Sequence, residues 1–269
     1  MHHHIVDTFA DAEHAGNPAA VVQVAEFPSA IEMQQTAHRI ALPTTAFVIE
    51  SGPGEYLVRW FTPFKEINLC GHATIASARV LLSGSDRDRL AFVAGSAVLH
   101  TERIGELIAI DLPAAALTVC EPPPGLLAAL GVEAAVSCAV SSDDILVEVD
   151  SVEAVRTATP DFPALGALPY RGHILTARTD SGGDGTDFVS RTFFPALGVN
   201  EDQVCVTAHC KLGPYWGARL GRDTLHTVQL SERGGRLEVH NNGDRVQVLG
   251  SAVLRGEVRE DRPLEGARQ

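Results

Sequence analysis

Positive charge is in short supply. The 21 Lys and Arg residues face 34 Asp and Glu, a formal net charge of −13 at pH 7. A surface of that sign repels phosphate, which excludes nucleic acid and anionic membrane as partners. Long apolar runs are missing too: no stretch of about 18 apolar residues exists to cross a bilayer as a helix. The start of the chain lacks the basic segment followed by an apolar one that marks a signal peptide, so a cytoplasmic location is expected. Cysteine is sparse. Cys70, Cys120, Cys138, Cys205 and Cys210 make an odd number with no C-x-x-C pair, so reduced thiols are expected, without a disulfide framework or a metal site. No G-x-G-x-x-G follows a strand-like segment, so a dinucleotide-binding fold fits poorly.

What is present is an ordinary core, 45% hydrophobic, with 24 Gly and 15 Pro to break it into short strands and turns. The pattern predicts strands at 4–10, 19–24, 45–50 and 56–62, with a turn at 14–18. Ser29 and Glu32 form a capping box for a helix running to about Ile40. The run from Gly71 to about Leu82 is apolar or small nearly all round, so it reads as a helix buried on every side within a wrapped sheet. Strands at 90–100 and 104–111 follow. Residues 113–125 carry four prolines, and the boundary between two domains, 1–117 and 118–269, is placed there, with the last strand left open to return to the first lobe. The second half predicts helices near 124–131 and 151–158. Its strands fall at 135–140, 145–149, 172–178, 187–194, 224–230, 236–240, 245–249 and 252–258, with polar residues from Arg259 onward expected to fray.

Two Cys-centred turns of the same shape stand far apart in this chain. Asn68-Leu69-Cys70-Gly71-His72-Ala73-Thr74 follows the aromatic stretch 56–63, and Asp202-Gln203-Val204-Cys205-Val206-Thr207-Ala208-His209 follows the similar stretch 188–195. Strand, short loop and Cys opening a small-residue helix, occurring twice, indicate an internal duplication. A helix N-terminus favours an anion, so it is expected to lower a thiol pKa and to hold a substrate carboxylate on its free N–H groups. Two such thiols suit proton transfer without a cofactor.

The chain resembles the PhzF-like (phenazine-biosynthesis-type) isomerases within the diaminopimelate epimerase superfold. The resemblance rests on Val6-Asp7-Thr8-Phe9, Gly16-Asn17-Pro18-Ala19-Ala20-Val21, Thr45-Ala46-Phe47-Val48, Arg59-Trp60-Phe61-Thr62-Pro63, Leu69-Cys70-Gly71-His72-Ala73-Thr74, Glu201-Asp202, Ala208-His209-Cys210 and Pro214-Tyr215-Trp216. It implies an α+β fold of two pseudo-symmetric lobes, each a curled mixed β-sheet wrapped around a central α-helix, with the active site between them. It also implies acid–base isomerisation of a small carboxylate substrate without cofactor or metal, and a homodimer. Two departures stand out. Thr44 occupies the place of the family's catalytic Glu, and the family's Asp-Pro-x-Thr-Gly-Ser-Ala reads here as Asp202-Gln203-Val204-Cys205-Val206-Thr207-Ala208. In the wider superfold, diaminopimelate epimerases and proline racemases carry their catalytic thiols at the positions matching Cys70 and Cys205.

The expected catalytic residues are therefore Cys70, Cys205, His72 and Asp202. Asn17, Thr44, Gly71, Ala73, Val206 and Thr207 are expected to bind substrate. Cys210 and His209 are expected to be core, and Cys120 and Cys138 structural. The leading expectation is an epimerase that moves a proton α to a carboxylate of an amino-acid-like metabolite, with Cys70 and Cys205 as acid and base. A PhzF-type hydrogen shift, dehydration or cyclisation using His72 and Asp202 is the alternative. A third reading, a binding protein on an isomerase fold, rests on Thr44 and on branched Val206 crowding the N–H groups beside Cys205. The loops at 11–16 and 179–187, which would define the substrate, carry no recognisable code.

Overall fold

A computed structural model describes residues 2–179 and 185–259. Most of the 179–187 loop's interior, and everything after Arg259, lie outside the described residues. The chain forms two units: one holds residues 2–8, 18–103 and 252–259, and the other holds residues 9–17 and 104–251. Residue 117, where the sequence places its boundary, lies within the second of these.

The first unit begins with β1 (His2–Thr8) and β2 (Asn17–Gln23), then α1 (Ala30–Ile40) and β3 (Thr44–Gly52). Six of the seven β2 residues are buried, the mark of a strand covered on both faces, and β2 runs parallel to β3 with α1 as the crossover. The expected capping box is present: Glu32 N–H donates to Ser29 Oγ, and Ser29 N–H donates to Glu32 Oε2 at 3.0 Å. Next come β4 (Glu55–Phe61), β5 (Glu66–Ile67), α2 (Gly71–Leu81), β6 (Arg89–Ala94) and β7 (Ala97–Ile104). β4 is antiparallel to β3 and to β5 but parallel to β6. The single strand read at 90–100 is in fact a hairpin: Gly95, with φ 59°, opens a two-residue Gly-Ser turn that pairs Ala94 with Ala97. Gly105, with φ 61°, makes the next turn, which is why the strand read at 104–111 is also divided.

Helix α2 is buried as expected, all but Arg79 and Leu81 of its residues being enclosed, and it packs on β1, β3 and the final strand (Ala252–Arg259). In such apolar surroundings its two hydroxyls have partners inside the helix, Thr74 donating to Cys70 C=O and Ser77 to Ala73 C=O, both at 2.7 Å. The final strand lies antiparallel to β1, from His2 opposite Arg259 to Thr8 opposite Ala252.

The second unit holds β8 (Leu107–Pro113), β9 (Thr118–Val119), α3 (Leu126–Leu130), β10 (Ser137–Val140), β11 (Asp144–Glu148), α4 (Val152–Thr157) and α5 (Phe162–Gly166). It continues with β12 (Gly172–Arg178), β13 (Phe188–Phe194), β14 (Val199–Asp202), α6 (Val206–Leu220), β15 (Thr224–Gln229), β16 (Gly235–Asn242) and β17 (Arg245–Gly250). Its pairing repeats that of the first unit. β11 is parallel to β12, β12 antiparallel to β13, β13 antiparallel to the short β14 and parallel to β15, and β15 antiparallel to β16. In the first unit β2, β3, β4, β5, β6 and β7 take the places of β11, β12, β13, β14, β15 and β16, with the same parallel and antiparallel pairings. The duplication is therefore topological as well as sequential.

Helix α6 carries Pro214 in its interior. Proline has no N–H, so the Cys210 carbonyl one turn earlier loses its helical donor, and Ala115 N–H supplies it from outside at 3.1 Å. Gly213 and Gly217 let Asn241 press against the same helix: a Cβ on either would lie within 2.7 Å of the Asn241 amide.

Candidate functional site

Both cysteine turns place the thiol at the N-cap of a buried helix. Cys70 caps α2 with φ −146° and ψ 103°, and Cys205 caps α6 with φ −102° and ψ 104°. Neither side chain caps its own helix, so each sulfur is left to other partners. The first N–H groups of both helices, at residues 71–73 and 206–208, have no carbonyl four residues back. Gly71, Ala73, Val206 and Thr207 are thus first-turn residues whose N–H groups have no acceptor within their own helices.

Two neutral side chains adjoin Cys70. Its thiol lies 3.4 Å from Thr44 Oγ1 and 3.4 Å from His72 Nδ1, and all three residues are buried. Burial pushes the His72 imidazole down to about 4, so it is uncharged near neutral pH. Its Nε2 is enclosed and makes no hydrogen bond among the described residues. A neutral imidazole carries one donor and one acceptor nitrogen, and here only one of the two is engaged.

The second cluster contains an acid. Asp202 ends β14, half-buried, and Asn17 Nδ2 donates to its Oδ1 at 2.8 Å and to Val204 C=O at 3.1 Å. No Lys, Arg or His pairs with this carboxylate among the described residues. Burial pushes its pKa up to about 7, while donors from Cys205, Val204 N–H and Asn17 act in the opposite direction. Cys205 lies beside it, only 5% exposed, with Thr207 Oγ1 at 3.4 Å from its sulfur. Burial and then the Asp202 charge raise the Cys205 thiol well above its ordinary value, and Thr207 and Ala208 N–H offset only part of this. The expectation that a helix N-terminus lowers this thiol's pKa is therefore corrected: desolvation and a neighbouring carboxylate outweigh the helix. Near neutral pH Cys205 is a thiol, and Asp202 is the group that changes charge.

Asn17, expected to hold a substrate amide or carboxylate, uses its amide N–H groups on Asp202 and Val204. His209 is core as expected. Its Nδ1 sits 2.7 Å from Cys205 C=O, burial holds the ring at about 4, and Nε2 has no partner among the described residues. Cys210 is likewise buried, with its thiol directed at Val206 C=O.

Sequence reading missed Gln229. Its Oε1 accepts Cys205 N–H at 2.9 Å, while its Nε2 donates to Thr192 Oγ1 and to Asp202 C=O, so one amide fixes the backbone on both sides of the 202–205 turn. Leu225, Thr227 and Gln229 alternate along β15 and are all enclosed, so a polar pair at core positions was the available signal. A buried ionic group was missed too. Lys211 Nζ reaches Asp144 Oδ2 at 2.8 Å, and Arg171 Nε reaches Asp144 Oδ1 at 2.9 Å. Among the described residues no three His, Cys, Asp or Glu side chains are arranged to hold a metal ion.

Comparison with known proteins shows the family. The family model described as phenazine biosynthesis-like protein, PhzC-PhzF, matches residues 6–257. An uncharacterized isomerase of Pseudomonas aeruginosa is 44% identical over 252 residues, covering 93% of this chain and 94% of the relative. The crystal structure of a phenazine biosynthesis protein of the PhzF family from Enterococcus faecalis is 40% identical and superposes with a TM-score of 0.88 over 95% of this chain and 97% of that one. The α+β fold extends to a predicted epimerase of Pseudomonas aeruginosa at 21% identity, TM-score 0.74, covering 97% of this chain and 99% of that one. With its duplicated pairing, its two Cys-capped helices and a match spanning nearly its whole length, this chain belongs to the PhzC-PhzF family of phenazine biosynthesis-like proteins.

Proposed function

We propose that this isomerase moves a proton on a carbon adjacent to the carboxylate or carbonyl of a small acid, with Asp202 as the general base. The observation that supports it is a half-buried carboxyl with no cationic partner among the described residues, held by Asn17 at 2.8 Å and poised at about 7. A base whose pKa lies near the working pH combines the ionised form with the strongest drive to take a proton. In the proposed step the C–H proton passes to an Asp202 oxygen, and the electron pair delocalises into the substrate carbonyl. The same proton, or one exchanged from water, returns at another carbon or on the other face. N–H groups at residues 206–208 stabilise the developing oxyanion, and the Cys205 thiol donates to the Asp202 carboxylate. Cys70 and His72 form a second set of donors, whose part in turnover Cys70→Ser and His72→Ala measure.

The test is incubation with small amino acids and unsaturated ring acids in deuterated water, followed by mass spectrometry. Deuterium should enter the substrate with the native protein and not with Asp202→Asn; equal incorporation by both proteins overturns the assignment of Asp202.

A second reading, an epimerase with Cys70 and Cys205 as the acid–base pair, is favoured by one feature. Each thiol belongs to the N-cap residue of its helix and each has a threonine hydroxyl at 3.4 Å. It requires that Cys70→Ala and Cys205→Ala each abolish racemisation; retained activity in either removes it. The homodimer implied by the resemblance is part of this proposal, and sedimentation at micromolar concentration tests it.

A further inference from the structure

Two cysteines outside the candidate site face each other across a sheet edge. β9 is antiparallel to β10, with Val119 opposite Ala139 and Thr118 opposite Val140. Continuing that register by one residue sets Cys120 opposite Cys138, and Cys120 N–H donates to Cys138 C=O at 2.9 Å. The two sulfurs are 3.7 Å apart. Antiparallel partners that share such a hydrogen bond hold their Cα atoms about 5.5 Å apart, inside the roughly 4.4–6.8 Å range of disulfides. The sulfurs need only approach to about 2 Å by rotation about χ1. The two thiols also differ in access: Cys120 is partly exposed, whereas Cys138 is 2% exposed.

We propose that Cys120 and Cys138 are a redox modification site that closes reversibly into a disulfide across the β9–β10 edge, with a low-molecular-weight disulfide as the oxidant. The exposed Cys120 thiolate attacks one sulfur of oxidised glutathione, forming a mixed disulfide and releasing one glutathione thiolate. Cys138 then gives up its proton and attacks the Cys120 sulfur, releasing the second glutathione. Two protein thiols lose two electrons and two protons in all, and one glutathione disulfide is reduced to two thiols. Burial together with the neighbouring Cys120 raises the Cys138 thiol to about 12, which fits it to the resolving rather than the attacking role. The link would join residues 18 apart in sequence and fasten the interior of the proline-rich 113–125 stretch onto β10.

The experiment treats the full folded chain with oxidised glutathione, then alkylates it and maps its peptides by mass spectrometry. Native protein should go from five alkylatable thiols, counted after denaturation, to three, with a single Cys120–Cys138 crosslinked peptide, and excess dithiothreitol should restore all five. Cys138→Ala should instead keep a stable glutathione adduct at Cys120, and Cys120→Ser should form no crosslink to Cys138. The proposal is overturned if native protein keeps the adduct at Cys120 with Cys138 still alkylatable. A crosslink to Cys70, Cys205 or Cys210 in its place, or an unreactive Cys120 in Cys138→Ala, overturns it equally.

Discussion

The two cysteine turns share a backbone and differ in their neighbours. In each, a short strand antiparallel to a longer one leads into a helix capped by cysteine, with a threonine hydroxyl 3.4 Å from the sulfur. The Cys70 turn brings Thr44 and an uncharged His72 to its thiol. The Cys205 turn adds a carboxyl, Asp202, with the Asn17 amide donating to its Oδ1 and the Gln229 amide donating to its main-chain carbonyl. The duplicated scaffold thus fixes where a thiol stands, and the residue three positions before it, or across from it, decides whether that thiol has a titrating neighbour. Thr44 is where the resemblance leads one to expect a second acid, so the carboxyl of the Cys205 turn has no counterpart at that position.

The sharpest way to break the comparison is to remove that acid. Asp202→Asn should lower kcat/KM by about 10³, within the roughly 10²–10⁴ range of general acid–base catalysis, as read from deuterium incorporation. In the native protein the rate should rise with pH through about 7, where the carboxyl ionises, and Asp202→Asn should abolish that inflection. Stability should move the other way. The folded pKa of Asp202 lies above its unfolded value of 3.8, so its contribution is complete below that value and is lost as pH rises to about 7. Relative to native protein, Asp202→Asn should therefore gain stability between those limits, by up to about 4 kcal/mol at pH 8, measured by urea unfolding. His72 and His209 act oppositely. Their folded values near 4 lie below 6.5, so they contribute stability above 6.5 that is lost as pH falls through 4.

Adding an acid beside Cys70 sharpens the comparison. Thr44→Glu buries a carboxyl at a position 2% exposed, and should cost about 2–4 kcal/mol at pH 8 but less at pH 5, where the acid is protonated. Denaturant midpoints at the two pH values check it. Gln229→Leu leaves Cys205 N–H without its acceptor and should cost roughly 1–3 kcal/mol. It should also displace the pH inflection, which a purely structural residue would leave in place. Smallest should be Cys70→Ser, which keeps a donor beside Thr44 and His72; a loss under about tenfold is expected, against a larger loss for Cys205→Ala, measured side by side.

Much of this was legible from residue patterns. The Ser29 box, the all-apolar run from Gly71 and the alternation of most strands report local backbone preference and burial, which sequence carries directly. Gly95 and Gly105 were read through, because a single glycine inside a β-rich stretch looks alike as a turn or as a weak strand residue. The site divides in the same way. Cys70, His72, Asp202 and Cys205 stand in local motifs. Asn17 stands in the local Gly16-Asn17-Pro18 motif, but its reach to a turn 185 residues away is not legible there, and Gln229, 24 residues from Cys205, shows only as a polar residue at a core position of β15. The direction of the Cys205 shift was misread for a related reason: a helix N-terminus is visible in sequence, whereas the desolvation that outweighs it comes from packing.

The pairing of β1 with the strand Ala252–Arg259 bears on the order in which the protein can be made. Helix α2 packs on both strands, Arg79 Nε donates to Ala252 C=O at 3.0 Å, and Arg255 is bonded to Asp7 at 2.7 Å. During synthesis residues 2–103 emerge first, yet one wall around α2 is supplied by residues more than 140 positions later. The other unit has all its strands once residue 251 has been added. The part of the protein translated first is thus completed last, and until then it presents an apolar helix and an open β1 edge, the surfaces most prone to mispairing. A released chain ending at residue 251 would have every strand of one unit and lack the closing strand of the other.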